Sequence, residues 1–112
     1  MSADMSSLDI RRLERLYAAG LQDIFVDEAL RKIVSRQIER DEVDLADVSA
    51  ILAEYESQYR IRSDEFHKRF VSGQMHDTAD FMEWNASYKS RERLLSRLRI
   101  LRGEDGDRKS VV

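Results

Sequence analysis

The sequence predicts an all-α protein, built as a long antiparallel helical hairpin with a short connecting helix and an N-terminal helix. Proline is absent and there are only four glycines in 112 residues, so few positions interrupt a helix. Apolar residues recur at spacings of three and four over more than thirty positions. A helix stop at Gly73 is followed closely by an acidic helix start and by Trp84, the only tryptophan. These features favour a few long helices joined by short connections.

The N-terminal helix is predicted to begin after Ser6 or Ser7 and to end before Gly20, which would close it in a left-handed conformation. The connection that follows is apolar for a loop, and Asp23 and Asp27 are both candidate caps of the next helix. The predicted organisation is a flexible N-terminus over residues 1–6, a single helical domain over residues 7–102 and a flexible C-terminal tail over residues 103–112.

The second helix is predicted from Asp27 to about Tyr59 and carries one long apolar stripe. A helix of about 33 residues extends roughly 50 Å, so other helices must cover the stripe. Because the stripe is longer than the last helix can cover, we expect a homodimer built on this helix. The stripe consists of Leu30, Val34, Ile38, Leu45, Val48, Leu52, Tyr55 and Tyr59.

Asp41 interrupts this stripe at a position where the spacing calls for an apolar side chain. In one interpretation the helix bends into solvent there, or the stripe shifts onto Val43. In the other, Asp41 is a buried polar residue that sets the register of the helices or contacts a basic group of a partner.

Two further helices complete the hairpin. Ser63 is predicted to cap a short helix that ends at Gly73, and Asp77 or Thr78 to begin a last helix that runs to about Leu101. Helical spacing assigns one strip of aromatic residues of the last helix to the core, and Met82 lies well round the helix from that strip, which makes it a candidate partner contact. The strip consists of Phe81, Trp84 and Tyr88.

No combination of residues points to catalysis, to a metal or to a cofactor. Cysteine is absent, and the two histidines, His67 and His76, match no ligand spacing. The acids Asp77, Asp80 and Glu83 lie at a helix start, where the free amides favour the ionised form over a proton donor. We therefore expect a protein that is not an enzyme. Without a secretion signal or an apolar run of about 20 residues, we expect it to be cytoplasmic and not to contact a membrane.

Charge is unevenly distributed along the chain, although the net charge is only −3. Residues 1–60 carry 8 basic and 13 acidic side chains, whereas the last helix is rich in arginine. The acidic residues predicted to bind a partner are Glu39, Asp41, Glu42, Asp44 and Asp47. The residues that could contact nucleic acid are Arg93, Arg97 and Arg99, although the net charge makes nucleic acid an improbable partner on its own.

Several segments resemble a group of small uncharacterised prokaryotic helical proteins that are regarded as antitoxins and are encoded beside small toxin-like proteins. The resemblance rests on the Tyr-rich turn Glu54-Tyr55-Glu56-Ser57-Gln58-Tyr59, on Ser63-x-x-Phe66, on Gly73, and on Asp77-x-x-Asp80-Phe81-x-Glu83-Trp84. Upstream, Ala18-Ala19-Gly20-Leu21 and Phe25-Val26-Asp27-x-Ala29-Leu30 are also similar. The chain departs from the group directly after Gly73, where it has Gln74, Met75 and His76 and the relatives tend to have acidic residues or glycine.

The resemblance implies a non-enzymatic protein that neutralises a toxin by binding it. Two other functions remain open from the residues themselves. The first is a homo-oligomeric coiled-coil scaffold or adaptor, and the second is a small nucleic-acid-binding regulator that uses the arginine-rich helix.

Overall fold

The computed structural model describes residues 2–104 of the chain, with side chains from residue 7 onward, and within this range all regular structure is helical. The elements are α1 (Ser2–Ala18), α2 (Ile24–Tyr59), α3 (Ser63–Val71) and α4 (Ala79–Leu101). The predicted all-α class and the hairpin of two long helices are confirmed. The tail predicted from residue 103 lies, from residue 105 on, outside the described residues.

By its internal contacts the chain divides into two compact units, the first ending at Ile33 and the second beginning at Val34. The first unit holds α1 and the start of α2. The second holds the rest of α2, α3 and α4. Each is described below by itself.

In the first unit, α1 begins at Ser2 and not after Ser6 or Ser7 as expected. It ends in the predicted left-handed turn: Gly20 has a φ of 101°, and the amide of Leu21 donates to the carbonyl of Leu16 over 2.9 Å. The Asp23 carboxylate then accepts hydrogen bonds from the amides of Phe25 and Val26. Because this cap forms earlier than expected, α2 begins at Ile24, three residues before the predicted start.

In the second unit, α2 and α4 lie antiparallel, and α3 packs against α4. The partners along the hairpin show the direction, since Tyr59 hydrogen-bonds Asp80 near one end while Asp41 binds Arg97 towards the other. α3 ends at the predicted stop, with a φ of 81° at Gly73. The hydroxyl of Thr78 accepts from the amide of Phe81 and so caps α4, as one of the two predicted starts.

The core of the second unit is an aromatic cluster centred on Trp84. Its ring is fully buried and stacks on Phe66, with the ring centroids 3.9 Å apart and the planes 2° apart. The indole Nε1–H donates to the hydroxyl of Ser63 over 2.9 Å. Ser63 was expected to cap α3, but its hydroxyl accepts from Trp84 and the cap position is Arg62, whose side chain makes no capping hydrogen bond. The amide of Ser63 itself donates to the Glu56 carboxylate over 2.8 Å. Leu52 and Tyr55 complete the buried cluster.

Covering by α4 and α3 also changes the expected assembly. Val48, Leu52 and Tyr55 belong to the stripe on which we expected a homodimer, yet all three are buried by their own chain. A second copy could reach them only if the hairpin opened. This part of the stripe is therefore core. Leu30, Ile38 and Leu45 of the same stripe are only partly buried and Val34 is exposed, so a homodimer on that part of the stripe stays a prediction.

Candidate functional site

Asp41, the residue that interrupts the stripe, is buried. No other charged side chain among the described residues is buried. Arg97 donates two hydrogen bonds to its carboxylate, from Nε to Oδ2 at 2.7 Å and from a terminal nitrogen to Oδ1 at 2.9 Å. Gln37, one turn earlier on α2, donates to Oδ1 at 2.8 Å. The pKa of Asp41 lies below its ordinary value, chiefly because of the hydrogen bonds from Arg97 and then because of the one from Gln37. Desolvation acts in the opposite direction.

This geometry decides between the two interpretations of Asp41. The solvated bend and the shift onto Val43 are wrong, because Asp41 is buried and Val43 is exposed. The basic group that Asp41 contacts comes from α4 of the same chain. Since a forked guanidinium fits a carboxylate in only a few relative positions, the pair fixes where α4 lies along α2. It also removes Asp41 from the surface that a partner could touch.

The other four predicted acidic contacts do not form one face. Glu39 is exposed, and Glu42 is paired with Arg102 near the end of α4. Asp44 and Asp47 line an open groove of about 460 Å³ between α2 and α4. Arg93 and Arg97 line the opposite side of the groove, so the acidic side chains there face basic ones. The accessible surface at this groove therefore carries both acidic and basic side chains.

The three arginines proposed for nucleic acid are likewise divided. Arg97 is committed to Asp41, and Arg93 donates to the hydroxyl of Ser90 at 3.0 Å. Arg99 is two positions from Arg97 and therefore points roughly 160° away around the helix. It donates to Ser96 at 3.1 Å. The three side chains thus do not present one continuous positive surface to a phosphate backbone.

Met82 and the aromatic strip separate as the spacing predicted. Trp84 is fully buried and Phe81 and Tyr88 are partly buried, whereas Met82 is 57% exposed. Met82 is therefore available to a partner.

Carboxylates at the start of α4 have structural partners. Glu83 accepts a hydrogen bond from the hydroxyl of Tyr55, and Asp80 accepts one from Tyr59 at 2.8 Å. The bond to Glu83, followed by burial, raises the pKa of Tyr55 to about 12. The bond to Asp80 likewise raises the pKa of Tyr59. Spacing alone did not reveal these pairs, because each joins residues more than twenty positions apart.

Neither histidine is part of a cluster of metal ligands. The Nδ1 of His67 lies 2.6 Å from the side-chain oxygen of Asn85, and its ring stacks on Tyr88. His76 is exposed in the turn before α4. Within residues 7–104, no three side chains of His, Cys, Asp or Glu converge as a metal site would require. None of the described helices is long and apolar enough to cross a bilayer.

An apolar surface on the first unit was not predicted as a site. Ile10, Leu13, Tyr17 and Leu30 line an open groove of about 500 Å³ together with Glu14. The hydroxyl of Tyr17 donates to Asp27 and so joins α1 to α2 at one end of it. Other large apolar side chains of this unit are exposed, namely Leu8, Leu16, Ile24, Phe25 and Ile33. The sequence offered one signal, the unusually apolar connection between α1 and α2.

By its fold the protein belongs to the all-α class and contains a helical hairpin, and its surface includes exposed apolar side chains and groups of mixed charge. The chain matches no protein-family model, no curated protein and no solved structure at a significant level.

Proposed function

We propose that this protein is a non-enzymatic protein-binding module that neutralises a toxin by direct binding, as a homodimer in the cytoplasm. The observation that carries the protein-binding part of the proposal is the set of large apolar side chains exposed on the first unit. Phe25 is 81% exposed, and four other large apolar side chains there are at least half exposed. Exposed apolar side chains grouped on one unit are typical of a protein–protein contact, whether with a second copy or with another protein. The resemblance to antitoxins supplies the kind of partner.

The toxin contact is assigned to the acidic side chains of α2 that are accessible, together with Met82 on α4. A toxin that acts on RNA has a basic surface, and acidic groups speed its association by complementary charge. Asp41 is excluded because it is buried, and Glu42 because Arg102 engages it. The acids that remain are Glu39, Asp44 and Asp47.

Absence of cysteine supports the cytoplasmic assignment, because a reducing compartment gives a small protein no disulfides to use. The non-enzymatic assignment is supported by the roles of the polar side chains. Those most buried, Asp41 and Ser63, bind Arg97 and Trp84 and are thereby occupied in holding the helices together.

A second function, a homo-oligomeric scaffold, is favoured by the same exposed surface. If its only occupant were another copy of the chain, no toxin would be needed to explain it. The two functions differ in what the accessible acids do, since a scaffold has no use for them.

The test is toxicity rescue with the product of the gene adjacent to that of this chain. The adjacent gene should arrest growth when expressed alone, and co-expression of this protein should restore growth. Combined Glu39→Lys, Asp44→Lys and Asp47→Lys should abolish rescue and slow association of the purified proteins. Each exposed change alters the free energy of unfolding by only about 0.5 kcal/mol. The variant should therefore remain folded.

A charge-matched control reverses three exposed acids elsewhere, Glu54→Lys, Asp77→Lys and Glu104→Lys. It should rescue growth as well as the unchanged protein does. If both triple variants rescue equally, the acidic contact is wrong. If the adjacent gene product is harmless or does not bind this protein, the toxin-neutralising function is wrong.

A further inference from the structure

The open groove of about 460 Å³ in the second unit is lined by residues of α2 and α4 alone. It lies on the side of α4 away from α3. Tyr88 stacks on His67 of α3, whereas Arg97 lines the groove. Because Tyr88 and Arg97 are nine positions apart, they point in opposite directions around α4. α3 therefore packs on one face of the hairpin, and the groove on the other face is a place where a further helix can pack.

The two walls of this groove have opposite charge. α2 contributes the acids Asp44 and Asp47, and α4 contributes Arg93 and Arg97. The side chains between the walls are apolar. They are Val48, Ile51 and Leu94. A lining of this kind fits an amphipathic helix, in which charged side chains flank an apolar strip.

Three of the charged groups are not satisfied within the chain. Arg97 already binds an acid of α2 and is therefore not counted among them. Arg93 donates only to the hydroxyl of Ser90. Asp44 and Asp47 take part in no hydrogen bond or ion pair with a described residue. The groove thus offers two carboxylates on one wall and one guanidinium on the other to an outside group.

The register of the two helices places these three groups at one level. Bonds that join α2 to α4 towards both ends of the hairpin fix that register, and by it Arg93 lies opposite the turn of α2 that holds Asp44 and Asp47. The open groove keeps the walls apart, so no ion pair joins them. A helix that enters the groove could meet all three groups within about one of its own turns, because the two acids are themselves about one turn apart.

Charge complementarity selects the chemistry of the occupant. Nucleic acid is disfavoured, because its phosphates would approach two carboxylates. A wholly basic element would satisfy the acids but would place a cation against Arg93. A wholly apolar element would bury three charges without partners. An element with both signs of charge, separated by an apolar strip, satisfies every group of the groove.

We propose that this groove receives one helix of the toxin, with basic side chains facing Asp44 and Asp47 and an acidic side chain facing Arg93. The proposal rests on the proposed function, which already assigns the two acids to the toxin. It adds Arg93 as a residue that determines specificity. It also states that the toxin surface is of mixed charge at this contact and not uniformly basic.

The test is the Kd of this protein for the purified product of the adjacent gene, measured by calorimetry at about 150 mM salt. Arg93→Gln should weaken binding by about 5- to 10-fold, because the acidic side chain of the toxin would lose its counter-charge. A uniformly basic toxin surface predicts the opposite sign, since removal of a like charge would strengthen binding.

A matched control removes a positive charge outside the groove. Lys89 is exposed and lies four positions before Arg93 on the same helix, but it does not line the groove. Lys89→Gln changes the net charge of the protein by the same amount as Arg93→Gln. It should alter the Kd by less than about 2-fold, as is usual for an exposed charge without a partner.

A second arm fills the groove without changing its charge. Ser90→Trp places a large side chain in the groove and should weaken binding by at least about 30-fold, because the toxin helix and the indole would clash. Ala46→Trp is the control. Ala46 is exposed and points about 160° away from Asp44 around α2, so this variant should bind normally. Circular dichroism should show the helix content of the unchanged protein in all four variants.

Each outcome has a separate meaning. Weaker binding by Arg93→Gln and Ser90→Trp, with both controls unchanged, supports the proposal. If Arg93→Gln binds as tightly as the unchanged protein or more tightly, or if Lys89→Gln weakens binding equally, the mixed-charge contact is wrong while toxin binding stands. Normal binding by folded Ser90→Trp shows that the toxin does not enter the groove. If the unchanged protein does not bind the adjacent gene product, this proposal and the proposed function are both wrong.

Discussion

Truncation of Trp84 tests how the second unit is held together. The indole is fully buried, stacks on Phe66 at 3.9 Å and on Tyr55 at 5.4 Å, and donates to Ser63. Replacing a buried Trp by Ala usually costs about 3 to 5 kcal/mol of unfolding free energy. The hydroxyl of Ser63 would also lose its partner, which costs about 1 kcal/mol more. We therefore expect Trp84→Ala to lower the free energy of unfolding by about 4 to 6 kcal/mol.

The assay is urea unfolding followed by circular dichroism. A domain of this size is stable by only about 5 to 15 kcal/mol, so Trp84→Ala could leave little folded protein to measure. Trp84→Phe is the measurable companion. It keeps an aromatic ring against Phe66 and loses the bond to Ser63 and part of the ring volume. We expect it to cost about 1 to 2 kcal/mol.

Met82→Ala, on the exposed side of the same helix, is the control and should change the free energy of unfolding by no more than about 0.5 kcal/mol. Because Trp84 is the only tryptophan, the native emission reports on this site alone. It should be shifted to the blue of free indole. If the native emission matches free indole, or if Trp84→Ala and Met82→Ala unfold at the same urea concentration, our account of the core is wrong.

Two predictions concern pH. Since the pKa of Asp41 is lower folded than unfolded, its pairing stabilises the protein above the ordinary carboxyl pKa of about 4, and this stabilisation is lost as the pH falls below that value. Urea midpoints at a series of pH values should show this acid-side loss, and Arg97→Ala should flatten or reverse it. Since the pKa of Tyr55 is raised to about 12, the protein should lose stability as the pH rises from the ordinary 10.0 towards 12, and Tyr55→Phe should lose less.

Local signals predicted where the helices stop better than where they begin. Gly20 and Gly73 close α1 and α3 because glycine, which lacks a Cβ, adopts a positive φ without steric cost. A single glycine in the sequence is therefore enough to predict such a helix end. Thr78 was one of two proposed starts of α4. The start of α2 was missed by three residues, since Asp23 and Asp27 are equally good caps on paper and only the contact of Asp27 with Tyr17 separates them.

Long-range pairing was beyond the reach of sequence patterns. Whether Asp41 is buried depends on Arg97, which lies 56 positions later. Spacing alone is compatible with both interpretations of a charged residue inside an apolar stripe, a solvated bend or shift of the stripe and a buried contact. Ser63 shows the same limit, because its hydroxyl has the chemistry of a cap but is used by Trp84.

Asp41 also explains why the accessible site differs from the predicted one. Five acids within nine positions of one helix look like a single acidic surface, yet at 100° per residue they point in different directions. One enters the core, two line the groove opposite arginines, one binds Arg102 and one faces solvent. Charge counted along a sequence therefore overstates charge shown to a partner. A partner that approaches α2 meets acidic and basic side chains together. The order of acids and arginines along the groove, and not the net charge of −3, would therefore determine which partner surface is complementary to it.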